Sequence, residues 1–187
     1  MPILKGTNVM LRPYRREDQE HILSWVNDWN STRYLTHLFD LPYTEEHART
    51  FIDRMLAGDS HTAAFVIADI RTGGYLGQID LNGIDNRDRK AVLGISIAAE
   101  ENRGRGVGRE AIGLLCRYGF MTLGLNRIEL TAHADNERAL RCYRACGFQQ
   151  EGLQRQAIWR DGAFRDEVLM AMLREDFDKL QTEASAR

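Results

Sequence analysis

Apolar positions along the chain fall into two kinds of run, and their order predicts a layered α/β domain. Residues 9–12 read as a short strand stopped by Pro13. Behind Asp18, which is placed to cap a helix, Ile22, Leu23, Trp25, Val26 and Trp29 recur at helical spacing. Residues 30–43 have no period and carry Tyr34, His37, Phe39, Asp40 and Tyr43, an aromatic and acidic mixture suited to the mouth of a site. Thr44 is an N-cap candidate for a helix through Leu56, with Gly58 ending it; His47 stands where a full capping box would need Glu or Gln. Residues 63–70 and 75–84 read as strands joined by the turn Arg71-Thr72-Gly73-Gly74. A charged connection over residues 85–90 leads into residues 91–98, a β-branched apolar run of strand length.

The second half alternates the two periods. Val107, Ala111, Leu114, Leu115 and Tyr118 share a helical face, and residues 127–133 form the next strand, so strand, helix and strand imply a parallel pair. Residues 136–146 read as a helix with Asp135 or Asn136 near its N-cap and Gly147 as the C′ residue. Residues 148–159 and 163–173 close the sheet as a hairpin around Asp161-Gly162. Residues 174–180 are expected to be helical, and 181–187 to be a disordered tail. No repeat or linker interrupts the pattern, and 187 residues with 43% hydrophobic content can bury one core, so a single domain over residues 1–180 is expected.

Charge and cysteine usage narrow the function. A net charge of −2 with dispersed arginines argues against nucleic acid as a partner. Residues 1–12 hold no long apolar segment, so neither a secretory signal nor a membrane span is expected there, and a cytoplasmic protein is. Three cysteines, an odd number, fit a reducing compartment. Cys142 and Cys146 lie four apart on a helix, where packing is favoured over a metal site, and no metal is expected.

Candidate chemistry concentrates in Asn102-Arg103-Gly104-Arg105-Gly106-Val107-Gly108-Arg109-Glu110-Ala111, between a strand and a helix. Glycines at alternate positions remove the Cβ atoms that keep a ligand off the backbone and permit φ angles closed to other residues. The N–H groups can then converge at the positive end of the helix, which favours a phosphate or pyrophosphate. Arg103, Arg105 and Arg109 add positive charge. A P-loop would need Gly-Lys-Ser/Thr, whereas Gly108 is followed by Arg109 and Glu110. A dinucleotide fingerprint is weak but stays open, because Arg109 stands where a small residue belongs while Asp135 could supply the acid.

The stretch resembles motif A of the GNAT superfamily of N-acetyltransferases, Gln/Arg-x-x-Gly-x-Gly/Ala, through Arg103, Gly106 and Gly108. A second constellation, Asn136-x-x-Ala139-x-x-x-Tyr143-x-x-x-Gly147-Phe148, resembles that superfamily's motif B. The closing Arg160-Asp161-Gly162-x-x-Arg165-Asp166 hairpin and the tryptophan-bearing helix look most like the branch that acetylates the N-terminal alanine of ribosomal proteins.

The resemblance implies a mixed α/β (α+β) fold. Its twisted sheet is mostly antiparallel, with a central splayed parallel pair and helices on both faces. Acetyl-CoA is then expected in the gap between residues 91–98 and 127–133 as a surrogate strand, with Ile97, Ala98 and Ala99 as contacts. The pyrophosphate would rest on the amides of Gly104, Arg105, Gly106, Val107, Gly108 and Arg109. Asn136 would meet a pantetheine amide or serve as a helix cap. Tyr143 would protonate the departing CoA thiolate, and no protein nucleophile is implied, since Cys116, Cys142 and Cys146 have no histidine arranged beside them.

The general base is less legible. Many GNAT sequences carry a glutamate where Val92 or Thr131 stands here. Glu129, taken as the tentative base through water, shares a strand face with Thr131 and His133, and Asp80 lies on a neighbouring strand. At pH 7 an α-amine near pKa 8 is roughly a tenth neutral, whereas an alkylamine near 10.4 is neutral in less than about a thousandth of molecules. A site with no obvious base therefore leans toward a protein or peptide N-terminus. The alternatives are a polyamine, another small amine or an aminoglycoside, drawn by Asp40, Glu45 and Glu46, and a module that binds acyl-CoA without turnover. A homodimer through the closing hairpin is a further expectation.

Overall fold

In a computed structural model, residues 2–36 and 39–185 are described; His37 and residues 186–187 lie outside them. The elements are β1 (Leu4–Lys5), β2 (Val9–Arg12), α1 (Asp18–Val26), α2 (Trp29–Thr32), α3 (Glu45–Ala57), β3 (Ala63–Asp69), β4 (Tyr75–Asp85), β5 (Lys90–Ile97), α4 (Val107–Met121), β6 (Arg127–His133), α5 (Glu137–Ala145), β7 (Gln149–Arg160), β8 (Ala163–Leu173) and α6 (Arg174–Ser185). The eight strands form one sheet in the order β1-β2-β3-β4-β5-β6-β8-β7. Every neighbouring pair is antiparallel except β5 with β6. The α/β fold with a central parallel pair is thus the one expected.

Period-two alternation splits the sheet between two cores. Phe65, Ile67, Ile79, Leu81, Leu93, Ile128 and Leu130 meet Ile112, Leu115 and Phe120 of α4, with Leu140 of α5 and Phe177 of α6 on the same side. Ala64, Val66 and Ala68 meet Ile22, Trp25 and Val26 of α1 and Ile52 of α3 on the other. Helices therefore lie on both faces, while Asn82, Val92 and Thr131, which point away from α4, stay exposed.

Four local features depart from the pattern. Asp18 does not cap α1. Its carboxylate is buried and receives Nη1 of Arg12 at 2.9 Å, Nη2 of Arg12 at 2.7 Å and the Arg15 amide at 2.7 Å. His47 completes a capping box after all: its Nδ1 accepts from the Thr44 amide at 3.2 Å, and its own amide donates to Thr44 Oγ1 at 3.3 Å. An unprotonated imidazole nitrogen does here what a Glu or Gln oxygen does elsewhere. Trp29 starts α2 instead of extending α1, and is 46% exposed against 4% for Trp25. Finally, α6 runs through Ser185, past the point where a disordered tail was expected to begin.

Candidate active site

The parallel pair opens after one end. β5 and β6 are in register only at Lys90↔Arg127, Ala91↔Ile128 and Val92↔Glu129. Beyond these, β5 stays paired with β4 as far as Ile97↔Gly77, and β6 with β8 as far as His133↔Glu167. Each strand follows its outer neighbour, and the two separate into a V. Alternation along an antiparallel strand turns the main-chain groups of residues 94, 96 and 98 toward β4, and the Ala98 amide accordingly donates to Leu76 O at 3.0 Å. The groups of Leu93, Ile95 and Ile97 face the gap. Of the expected contacts Ile97, Ala98 and Ala99, Ile97 lies on the gap side, together with Leu93 and Ile95, while the Ala98 amide is turned to β4.

At the open end of the V a 3-10 turn, Glu100–Asn102, leads into the glycine loop. Gly104 and Gly106 have φ of 77° and 85°, a left-handed backbone that a Cβ strains. Nothing lies within 4 Å of where their side chains would be, so both front on open space. Gly106 is the N-cap of α4, and the first intrahelical bond runs from Glu110 N to Gly106 O at 3.0 Å. The amides of Val107, Gly108 and Arg109 are left without intrahelical acceptors, at the positive end of a 15-residue helix. Arg105 and Arg109 are exposed beside them. Arg103 is not: its Nε and Nη2 donate to Ile97 O at 3.2 and 3.1 Å, and Nη2 to Ala98 O at 3.4 Å. It braces the loop against β5 and takes up the Ile97 carbonyl.

Glu110 anchors the same turn from behind. Burial raises its pKa, but the amides of Asn8, Thr7 and Val9, donated from the β1–β2 turn, outweigh this and hold the carboxyl below its usual range. A Cβ on Gly6 would meet the Glu110 carboxylate and push it off these amides.

Asn136 caps α5, accepting from the Ala139 amide at 3.3 Å through Oδ1, and its side-chain N–H groups are left to donate. Tyr143 lies two turns along α5, half-buried, edge-on to Phe148 at 6.2 Å. Burial, then the neighbouring Cys142 and Cys146, push its phenol up to about 12, so it stays protonated. Cys142 lies 4.0 Å from the Cβ position of Gly108, and Cys116 is buried, with its thiol pushed up to about 12 by desolvation. The described residues hold no group of three metal-ligating side chains.

The structure separates the base candidates. Glu129 stands on the last closed rung, opposite Val92, and its carboxylate receives Arg127 Nε at 2.8 Å, while the same guanidinium also binds Glu151. It thus stands on a closed rung, with its carboxylate held by Arg127. His133 ends β6 and is buried under the edge of the Tyr34 ring, with centroids 5.4 Å apart. Asp80 sits opposite Gly94, two residues beyond the last closed rung. Burial pushes its carboxyl up to about 7 against the Gly94 amide and Arg54, which pull it down.

A roof crosses the open end on the side away from α4. Ser31 Oγ donates to Ala98 O at 3.5 Å, at the end of β5, while Tyr34 reaches His133 at the end of β6. Arg160 of β7 joins it, bonded to Asp40 and to Leu35 O at 3.1 Å, with its guanidinium 5.3 Å from the Trp29 ring centroid. Asp40 is thereby neutralised and no longer a free attractor for a polycation, whereas Glu45 and Glu46 stay exposed, Glu46 against Arg49. Ser31, Tyr34 and Asp40 of this roof belong to the aromatic and acidic stretch that the sequence marks as suited to the mouth of a site.

Residues 8–149 match the family described as an acetyltransferase (GNAT) domain. The spermidine N(1)-acetyltransferase of Escherichia coli is 26% identical over 171 residues, 91% of this chain and 88% of that protein. The crystal structure of spermidine N-acetyltransferase from Vibrio cholerae in complex with CoA and spermine superposes with a TM-score of 0.81 at 26% identity, covering 92% of this chain and 99% of that one. A Bacillus subtilis protein whose name marks it provisionally as a ribosomal N-acetyltransferase is 32% identical over 106 residues, 57% of either chain, so likeness to a ribosomal enzyme is partial. With its splayed strands, its glycine-capped helix and these relatives, the chain belongs to the GNAT family of acetyltransferases.

Proposed function

We propose that the chain transfers acetyl from acetyl-CoA to a small primary amine of the polyamine class, by direct attack in a ternary complex. The splay of β5 from β6 carries this reading: unpaired main-chain groups of Leu93 and Ile95, with the Ile97 amide, accept the pantetheine amides as a missing strand would. The pyrophosphate rests on the amides of Val107, Gly108 and Arg109, flanked by Arg105 and Arg109. Asn136 donates to the pantetheine arm. An N–H near the apex of the V polarises the thioester carbonyl, and Tyr143 gives its proton to the sulfur.

The acceptor class draws on the likeness to spermidine acetyltransferases across nine-tenths of the chain. A protein N-terminus is favoured from sequence because no base is obvious there, and an Asp80 carboxyl raised to about 7 weakens that preference. The test is an acceptor screen with acetyl-CoA against spermidine, spermine, monoamines, aminoglycosides and peptides with free N-termini. Turnover is expected to be fastest with the polyamines. Turnover of N-terminal peptides with none of the polyamines would reverse the assignment.

A further inference from the structure

Three rungs cross the sheet on the face away from α4. Asn82 stands opposite Val92, Asp80 opposite Gly94 and Gln78 opposite Ser96. The Val92 rung is closed by Glu129 of β6, so the Asp80 rung is the first to end at open gap. Asp80 also leans over β5: its Oδ1 lies 2.7 Å from where a Cβ on Gly94 would be, in space that any other residue would fill. The carboxylate thus crosses a strand whose far edge is the gap.

We propose that Asp80 is the proton acceptor for the attacking amine, reached through a water at the Gly94 edge of the gap. The proposal rests on the acetyltransferase reading above and assigns a base where that reading has none. Among the described residues, the Gly94 amide and the Asn82 side-chain amide donate to the carboxylate, Arg54 approaches from α3, and Tyr14 approaches from the β2–α1 connection, its hydroxyl donating to Gln78 at 3.4 Å as that of Tyr75 does at 3.3 Å. One cation and two neutral donors do not overcome burial, which brings the group to about 7, close to where a general base works best.

The protons balance. The substrate ammonium gives one proton through the water to Asp80, and the neutral amine attacks the thioester carbon. As the C–N bond forms and the C–S bond breaks, Tyr143 protonates the thiolate and recovers a proton from the nitrogen of the tetrahedral intermediate. Asp80 then releases its proton to solvent. Products are the amide, CoA thiol and one proton.

The experiment compares wild type with D80N and G94A on two acceptors, spermidine and trifluoroethylamine, the latter neutral at pH 7 and in no need of a base. The pH profile of kcat and the acetyl-CoA KM are recorded for each. D80N is expected to lose about 10²-fold or more in kcat on spermidine and to lose the acidic limb near pH 7, with acetyl-CoA KM little changed. On trifluoroethylamine its loss stays below about tenfold. G94A, which displaces the carboxylate without removing it, is expected to show the same selective loss to a smaller degree. An unchanged limb in D80N, or equal losses on both acceptors, overturns the assignment while leaving the acetyltransferase reading intact. A wild type that turns over no amine overturns that reading, and Asp80 with it.

Discussion

The guanidinium of Arg103 donates to the main-chain carbonyl of Ile97, so the arginine of the glycine loop turns back onto the end of β5 and not outward to an anion. Its contribution to cofactor binding is then indirect, through the ordering of Gly104 and Gly106. R103A is expected to weaken acetyl-CoA about tenfold, because ordering the freed loop costs roughly 1–2 kcal/mol per residue fixed, with kcat little changed. R103K, lacking the planar fork that spans the two carbonyls, should recover only part of the affinity. Calorimetric titration checks both; unaltered affinity in R103A would remove the brace from the account.

Tyr143 is the next test. Y143F keeps the ring that packs on Phe148 and deletes only the donor. A fall of about 10²-fold or more in kcat, with CoA affinity within about twofold, is the expected signature of a proton donor. Full activity in Y143F would leave the phenol as a packing residue. An acyl-CoA-binding module without turnover would have no rate for the substitution to lower.

Asp80 ties activity to stability in opposite senses. Its carboxyl titrates near 7 when folded and near 4 when unfolded, so between those values the folded state holds more protons. Stability from this group is therefore present below about pH 4 and falls as the pH rises toward 7, by no more than about 4 kcal/mol. D80N, which cannot ionise, should be more stable than wild type at pH 8 and lose that advantage toward pH 4. Urea unfolding at the two pH values measures this, and a D80N less stable at pH 8 would contradict it.

The buried Arg12–Asp18 pair holds β2 to the start of α1, with side chains 5% and 2% exposed. Removing one partner leaves an unpaired buried charge, so D18N is expected to cost about 3–5 kcal/mol. Replacing both by apolar residues, as in R12M/D18L, should cost less than either single change, because no charge is left stranded. A double variant as unstable as the sum of the singles would show the two act independently.

Much of the site was legible in one dimension, since each half depends on neighbours along the chain. Gly104, Gly106 and the amides before Arg109 belong to one loop and one helix turn, and Asn136 and Tyr143 share one helix face. What escaped depended on which strand lay beside which. Glu129 and Asp80 were equivalent as residues, and only the register of β5 with β6 put one on a closed rung beside Arg127 and the other at the edge of the gap. Asp40 likewise read as a free acid until β7 brought Arg160 against it from 120 positions away.

By itself the sequence determined the order of helices and strands, the parallel connection through α4 and the anion-receiving loop, because periodicity, glycine placement and helix polarity act over a few residues. Only the tertiary structure decided where the sheet splits, which carbonyl Arg103 occupies and which carboxylate stands beside the gap. Those depend on strand registry and on burial between layers, and neither is a property of any local stretch of chain.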